Sequence, residues 1–471
     1  MRIAYVSAGA ANMYCGSCLH DNSLVAALQR LGHDAVLVPA YTPLRTDEPG
    51  VGIDRVFFGA LNVYLKQIVP PLRRGSAVLE RLLDRPGLLA LAARLGSSTD
   101  PGRLGELTLS ILRGEQGHQA GELDKLAGWL RDDFRPEIVH LTNSLFAGFA
   151  RRLQADLGVP VVCSLQGEEL FVDGLPEPSR GRVRAALAER ARDVDLFVAP
   201  SRAYADFMAS YLRIERARVA VVPLGIHLSG HGSGHGAAGA RDGSDGADGP
   251  EAGGRERGDD SGRGTRPAGE PRAPLVIGYL ARIAPEKGLH VLAAAFRQVA
   301  SVLGKGSVRL HVAGYLPARH RRYLRGVERQ LAGWGLAGDF RYFGEVTREA
   351  KIDFLAGLDV LSVPTTYAEP KGLYVLEALA NGVPVVEPRH GSFPELLEAT
   401  GGGVLVTPGD PSELAGALTG LLRDPARRER LGRAGREAVH ARFSDTAAAA
   451  ATLALYEACL RGRREAVVGS R

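Results

Sequence analysis

Two stretches of the chain hold residues whose types and spacing could act on a phosphorylated substrate. In TTYAEPKGLYVLEALANGVPVVEP, from Thr365 to Pro388, Pro370 and Gly372 keep Glu369 in a loop. LYVLEALA then takes up helical periodicity and places Glu377 in its second turn. The amides of Lys371, Gly372 and Leu373, together with the positive end of the helix dipole, form an anion site suited to a diphosphate, and Gly372 permits close backbone approach. With a diphosphate there, Glu377 stands where a carboxylate can accept two ribose hydroxyls, and Glu369 where a hexose would project.

The second stretch is LVIGYLARIAPEKGLHVLAAAF, from Leu275 to Phe296. A strand leads to Arg282 in a loop, and Lys287 follows at the start of the next helix. Two cations on one strand-to-helix loop can clamp a diphosphate and neutralise the charge that grows on it as a bond to it breaks. Either cation alone reads as a solvated surface charge. The argument rests on both clusters occurring in one half of the chain, in the order that adjacent loops require.

The elements that must position these residues follow a repeated pattern. Short Val/Ile-rich runs alternate with longer helical patterns, which indicates parallel sheets with helical crossovers. The N-terminal half has RIAYVS (Arg2 to Ser7), a small-residue loop, a helix near Asp21 to Leu31, and then DAVLVP, EIVHL, PVVCSL, LFVAP and VAVVP. The C-terminal half has LVIGYL, RLHVAG, FRYFGE, DVLSVP, PVVEP and GVLVTP. Both halves therefore read as α/β, Rossmann-like doubly wound domains. Ligands of such sheets bind at the carboxyl ends of the strands, so two facing domains make a cleft lined by strand-to-helix loops. Between the halves, Ser229 to Pro274 contains no Val, Ile, Leu, Met, Phe, Tyr or Trp, so nothing in it offsets the entropy of ordering. The expected organisation is a first Rossmann-like domain over 1–228, a disordered Gly-rich linker over 229–274, a second Rossmann-like domain over 275–443 and a C-terminal helical segment over 444–471.

Length and composition exclude other classes. The 471 residues suffice for two to four domains, and 45% hydrophobic with 24% charged residues is ordinary for a soluble globular protein. A net charge of +5 gives little of the concentrated field that a dedicated nucleic-acid binder needs. No run approaches eighteen apolar residues, the N-terminus lacks a signal peptide's apolar block, and the four cysteines are too scattered for a disulfide framework. A cytoplasmic protein is expected. From Leu65 to Leu95, arginines 73, 74, 81, 85 and 94 interleave with leucines. A surface helix is the favoured reading, with peripheral contact at the inner, anionic membrane face as the alternative.

The EPKGLYVLEALANGVPVV text, the Glu369 to Glu377 spacing, the ARIAPEKG loop and GSFPELLE from Gly391 resemble family 4 glycosyltransferases of the GT-B fold. The resemblance is strongest from about Leu275 to Tyr456 and consistent in layout from Met1 to Ile226. It implies that Arg282 and Lys287 bind a donor diphosphate, that Glu369 contacts the donor sugar and that Glu377 holds the ribose. It implies transfer of a sugar from a nucleotide-diphosphate sugar, bound by the domain over 275–443, to a glycan, lipid or small-molecule acceptor bound by the domain over 1–228, with the helix in 444–471 crossing back to the first domain, retention of anomeric configuration and no metal or other cofactor. Two departures stand out. Lys371 occupies a position where the family usually has Phe, and Gln166 in CSLQGEEL replaces a His near the reacting carbon; Gln can hydrogen-bond a sugar hydroxyl but cannot protonate. A catalytically weak nucleotide-sugar or glycan-binding protein and a GT-B sugar-nucleotide epimerase are the alternatives.

On the acceptor side, SAGAANMYCGSCLHDN would cover the reaction centre, with Gly9 and Gly16 allowing backbone approach. His140 in EIVHLTNS is a candidate for the cleft or a strand-end His satisfied locally, and Asn143 follows it in the same loop. Cys15 and Cys18 form a C-x-x-C that could be a redox pair or, with His20, half a zinc site. The other half is missing, and packing or loop geometry is the favoured reading. The spacing of Gly9 to Gly16 fails the dinucleotide fingerprint, which argues against a nicotinamide enzyme.

Overall fold

The computed structural model describes residues 1–9, 16–42, 46–53, 56–57, 101–232 and 273–469. Strands β1 (Arg2–Ser7), β2 (Asp34–Pro39), β3 (Ile138–Leu141), β4 (Val161–Ser164), β5 (Leu196–Ala199) and β6 (Val219–Val221) form one parallel sheet in the order β2-β1-β3-β4-β5-β6. Strands β7 (Leu275–Leu280), β8 (Val308–Ala313), β9 (Phe340–Tyr342), β10 (Val360–Leu361), β11 (Val385–Pro388) and β12 (Gly403–Val406) form the second, in the order β12-β11-β10-β7-β8-β9. Every pairing is parallel. The strands read as unbroken apolar runs because helices cover both faces; β3, β4 and β11 are buried at every residue. This is the GT-B arrangement that the strand grammar predicts.

Strand order reverses between β1 and β3 in the first sheet and between β7 and β10 in the second. Such switch points open a crevice at the carboxyl ends of the strands. The loop after β1 carries Gly9 and the loop after β3 carries Asn143. The loop after β7 carries Arg282 and Lys287, and the loop after β10 carries Glu369.

The helices that matter for the site are α1 (Gly16–Arg30), α2 (Arg202–Leu212), α3 (Leu289–Leu303), α4 (Arg348–Ala356), α5 (Leu373–Ala380), α6 (Phe393–Thr400) and α7 (Asp445–Gly469). Helix α1 starts at Gly16, earlier than the expected Asp21, so Ser17, Cys18 and His20 stand in its first turns. Tyr374 to Ala380 of α5 are all buried, which accounts for its apolar composition all round. The terminal helix packs on α1, burying Ala449 and Tyr456 fully among Ile3, Tyr5, Leu24, Leu28, Ile138 and Val162. Burying a side chain the size of Tyr456 contributes about 2 kcal/mol.

The chain passes between the halves twice, and the two passages are bonded together. Ile226 N donates to Phe443 O at 2.9 Å and Asp445 N to Ile226 O at 2.9 Å. Asp445 also takes Arg30 at 2.5 Å and lies 2.9 Å from His227 Nδ1. Ser229–Gly232, assigned by composition to the linker, instead pack on the second domain: His231 is buried, its Nδ1 lies 2.8 Å from Asn381 Nδ2, and Gly232 N donates to Asn381 Oδ1 at 3.2 Å. A polar segment orders here because its groups find partners, not because it buries apolar surface. Linker residues 233–272 and the Arg/Leu segment at 65–95 lie outside the described residues. Among the described residues no helix is long and apolar enough to cross a membrane.

Candidate active site

Glu369 sits at the centre of the crevice. Gly391, at φ +60°, approaches so closely that a Cβ there would meet Glu369 O at 2.4 Å, and Ser392 N donates to that carbonyl at 2.7 Å. The GSFPELLE segment thus clamps the backbone of Glu369 from behind. Its carboxylate pairs with Lys287 and accepts the Tyr367 hydroxyl at 2.5 Å. Burial alone would raise its pKa, but the Lys287 ammonium and the hydrogen bonds from Lys287 and Tyr367 outweigh that and hold it at about 2. Glu369 is therefore a fixed anion.

Gly372 caps α5 with a left-handed φ of +68° and turns the chain so that the helix start faces the crevice. Lys371 N, expected to be free for an anion, donates to Glu369 Oε1 at 3.3 Å; the loop is tight enough for the carboxylate to use it. Arg282 pairs with Glu286 at 2.7 Å and Lys287 with Glu369, so both expected phosphate cations have carboxylate partners. Lys371 has none among the described residues: its ammonium donates to Ser17 Oγ at 2.7 Å and Gln166 Oε1 at 3.4 Å, both on the other domain. The Phe-to-Lys departure therefore makes a bridge across the cleft beside Gly16 and Leu373.

Glu377 is buried on α5, and its Oε1 accepts from Lys351 Nζ of α4 at 2.6 Å. Burial raises its pKa, and the Lys351 ammonium offsets part of that. Lys351 pairs as well with Asp47, and neighbouring Arg348 lies 3.3 Å from Glu48. Asp47 and Glu48 belong to the first domain. Glu395 of α6 crosses in the opposite direction: it accepts Arg202 N at 3.0 Å and Ala203 N at 2.6 Å at the start of α2.

On the first domain, Gln166 lies against Lys371, but its amide hydrogens are already used. Nε2 donates to Asp21 Oδ1 at 2.9 Å and to Thr142 O at 2.8 Å, which fixes Oε1 toward the cleft. Gln166 can accept from a sugar hydroxyl; it has no free donor to offer, which narrows the role expected of it. Asp21 is fully buried and takes four donors: Tyr5 at 2.8 Å, Ser7 at 2.7 Å, Thr142 at 2.6 Å and Gln166. Burial raises its pKa against the pull of those four bonds.

His140 lies beneath the cleft, lining a small cavity with His20, Gln166 and Lys371. It is 1% exposed, its ring nitrogens lie 2.5 Å from Tyr456 Oη and 2.8 Å from Ser164 Oγ, and burial lowers its pKa to about 3. A strand-end His one residue before the loop points into the layer between β3 and α7. Asn143 caps the following turn by accepting Leu145 N at 3.1 Å. Gly9, at φ +77°, is required by Thr42, whose carbonyl a Cβ would meet at 2.0 Å; the observed close approach is to the protein's own backbone. Cys15 lies outside the described residues, and Cys18 is buried on α1.

Asp47, Glu48, Arg348 and Lys351 had no signal in the sequence, and Asp21 and Glu395, though inside SAGAANMYCGSCLHDN and GSFPELLE, had none of their own. Each is a charge in polar or helical text, where solvation is the default, and only tertiary structure gives it a partner.

A model of "Glycosyl transferases group 1" matches residues 265–438, and one of "Glycosyl transferase 4-like domain" matches residues 21–225. The chain belongs to the family 4 glycosyltransferases. This glycosyltransferase is 26% identical over 369 residues to D-inositol 3-phosphate glycosyltransferase of Segniliparus rotundus, covering 77% of this chain and 72% of that protein. It is 34% identical over 194 residues to phosphatidyl-myo-inositol mannosyltransferase of Mycobacterium leprae, covering 40% and 48%. Among solved structures it superposes on Anabaena HepE in complex with UDP with a TM-score of 0.63 at 15% identity, over 97% of this chain and 100% of that one. Sucrose-phosphate synthase from Thermosynechococcus elongatus gives 0.66 at 16%, over 98% and 100%. These likenesses establish the fold.

Proposed function

We propose that this glycosyltransferase moves a sugar from a nucleotide-diphosphate donor, held by the second domain, to an acceptor held by the first, with retention of anomeric configuration. The observation that carries the reading is the buried Lys287–Glu369 pair in front of the α5 N-terminus, which brings two motifs 82 residues apart onto one crevice. The diphosphate lies on the start of α5 with Arg282 and Lys287, the sugar on Glu369 and the ribose on Glu377. The bond from the anomeric carbon to the diphosphate oxygen breaks, the acceptor oxygen bonds to the same face, and the acceptor proton passes to the departing diphosphate. Gln166 Oε1 and Lys371 border the acceptor side. The UDP complex of HepE and the inositol-phosphate acceptors in the relatives' names support a nucleotide-sugar donor and a polar sugar-like acceptor.

No divalent metal enters this scheme, since Arg282, Lys287 and Lys371 supply the positive charge that stabilises the leaving diphosphate. The test starts from a thermal-shift screen of UDP-, GDP- and ADP-sugars, because a ligand that binds the native state raises Tm. Turnover of the stabilising donor with sugar and inositol-phosphate acceptors should then yield a product whose anomeric proton coupling matches the donor. An inverted product, or turnover abolished by EDTA and restored by manganese, overturns the scheme.

A further inference from the structure

Lys351 is a buried lysine that bridges two carboxylates from different domains. It lies in the first turns of α4 and is 6% exposed; Glu377 Oε1 of α5 accepts one of its protons at 2.6 Å and Asp47 of the first domain another. A buried ammonium is costly unless fully paired, so its retention here calls for a role. Glu377 Oε2 accepts no hydrogen bond among the described residues, and Asp47 Oδ1 is buried without a partner. Beside them is a small cavity lined by Ser23, Glu48, His227, His231, Arg348 and Glu377, into which His231 brings a buried Nε2 that also lacks a partner. The group nearest the expected ribose thus has one oxygen anchored and one unspent, next to other unsatisfied polar atoms.

We propose that Lys351 is a positioning residue for donor binding: it holds Glu377 ionised with Oε2 turned to the ribose, and Asp47 anchors Lys351 from the opposite domain so that this grip is complete only when the domains are closed. The inference rests on the proposed donor site. Among the described residues, the charged and titratable groups around Glu377 are Lys351, Arg348, Asp47, Glu48, His20, His227 and His231, and Glu48 is paired with Arg348. Arg348 of α4 and Lys351 favour the carboxylate, Asp47 opposes it, and His231 is held neutral by burial together with Arg348 and Lys351. Burial by itself pushes Glu377 toward the protonated form, and among the described residues Lys351 is the cation in hydrogen-bond contact with it. Without Lys351, Glu377 takes up its proton at a higher pH, and a protonated carboxyl cannot accept from two hydroxyls with both oxygens.

The experiment measures, from pH 5.5 to 8.5, the affinity for whichever of UDP, GDP or ADP binds the wild-type chain, and for its 2′,3′-dideoxy analogue. The ratio isolates the ribose hydroxyls from the diphosphate. For wild type the ratio should be constant from pH 8.5 down to about 6, any fall being confined to the acidic end because burial leaves the Glu377 pKa raised even beside Lys351. In the K351M/D47N double variant, which removes Lys351 together with the carboxylate that anchors it and leaves Glu377 without its ammonium partner, it should fall toward one at the acidic end from a higher pH than in wild type, by about tenfold per pH unit at most, and recover at alkaline pH. A variant ratio that is low at every pH, or unchanged at every pH, overturns the proposal. The wild type supplies an independent arm if the variant does not fold: a wild-type ratio that collapses between pH 7 and 6 shows that Lys351 does not keep Glu377 ionised. Failure of all three nucleotides to bind the wild type would instead sink the proposed function.

Discussion

Lys287 and Glu369 form a buried ion pair between the loop after β7 and the loop after β10, the two strands that flank the switch point of the second sheet. The pair joins the cation expected on the leaving diphosphate to the carboxylate expected on the donor sugar. Substrate and structure therefore draw on the same contact. Glu369 titrates at about 2 in the folded chain against 4.5 for the free side chain, so its contribution is complete above about pH 5 and is lost as pH falls through 4.5 toward 2. Lys287→Met removes the partner and should cost about 3 kcal/mol at pH 7. In urea titrations the gap between wild type and variant should narrow steadily from pH 5 to pH 2.5; a gap independent of pH would show that Lys287 acts through packing alone.

The two glutamates should separate in binding and turnover. Glu377→Ala should weaken free nucleotide diphosphate and nucleotide-sugar alike, by about 1.5–3 kcal/mol for lost hydrogen bonds to a charged group. Glu369→Ala should leave diphosphate affinity nearly intact and lower the rate constant at saturating donor. Calorimetric titration with the nucleotide, followed by turnover at saturation, checks both. Equal losses of nucleotide affinity in the two variants would refute the division.

Most of the scaffold was legible because its signal is local. Each of the twelve Val/Ile-rich runs contains a strand, and Glu369 and Glu377 occupy the loop and the helical turn that Pro370, Gly372 and the periodicity of LYVLEALA require. What could not be read is whom each charge meets. Lys351 in REAKIDFLA looks like a solvated face, yet it is buried because Asp47, some 300 residues earlier, and Glu377 both reach it. His140 stayed open between two readings for a related reason: position at a strand end says nothing of which side of the sheet the ring enters, and α7 supplies Tyr456 on that side. Ser229–Gly232 ordered through Asn381, which no composition rule foresees.

Gln166→Glu tests the locked amide. The wild-type Nε2 donates to Asp21, and Asp21 already sits fully buried with three other donors. A glutamate would set a second carboxylate against that oxygen with no proton between them, at a cost of about 2 kcal/mol at pH 7. Tm should fall by several degrees at pH 7 and recover as pH drops and one carboxyl protonates. Gln166→Met, which removes the donor without adding charge, should show no such recovery. If both variants lose the same Tm at every pH, the amide is not held by Asp21.

Glu387 gives the opposite pH dependence from Glu369. It lies near the end of β11, is fully buried, accepts Val363 N at 3.1 Å through Oε1, and leaves Oε2 without a partner among the described residues. Burial drives its pKa well above 4.5, the nearby Glu369 adds to the rise, and the Val363 amide and Lys287 offset only part of it. The folded chain therefore keeps a proton on Glu387 that the unfolded chain releases. Where the native state binds the extra proton, stability falls as pH rises, by up to about 1.4 kcal/mol per pH unit between the unfolded and folded pKa values. Glu387→Gln has nearly the same shape, preserves an acceptor for Val363 N, and cannot ionise. Its stability relative to wild type should rise steadily from pH 5 to pH 8 in urea titrations, whatever the offset at pH 5. A difference that stays constant over that range would mean that Glu387 is ionised in the folded chain, and that a second negative charge lies beneath Glu369 and Lys287.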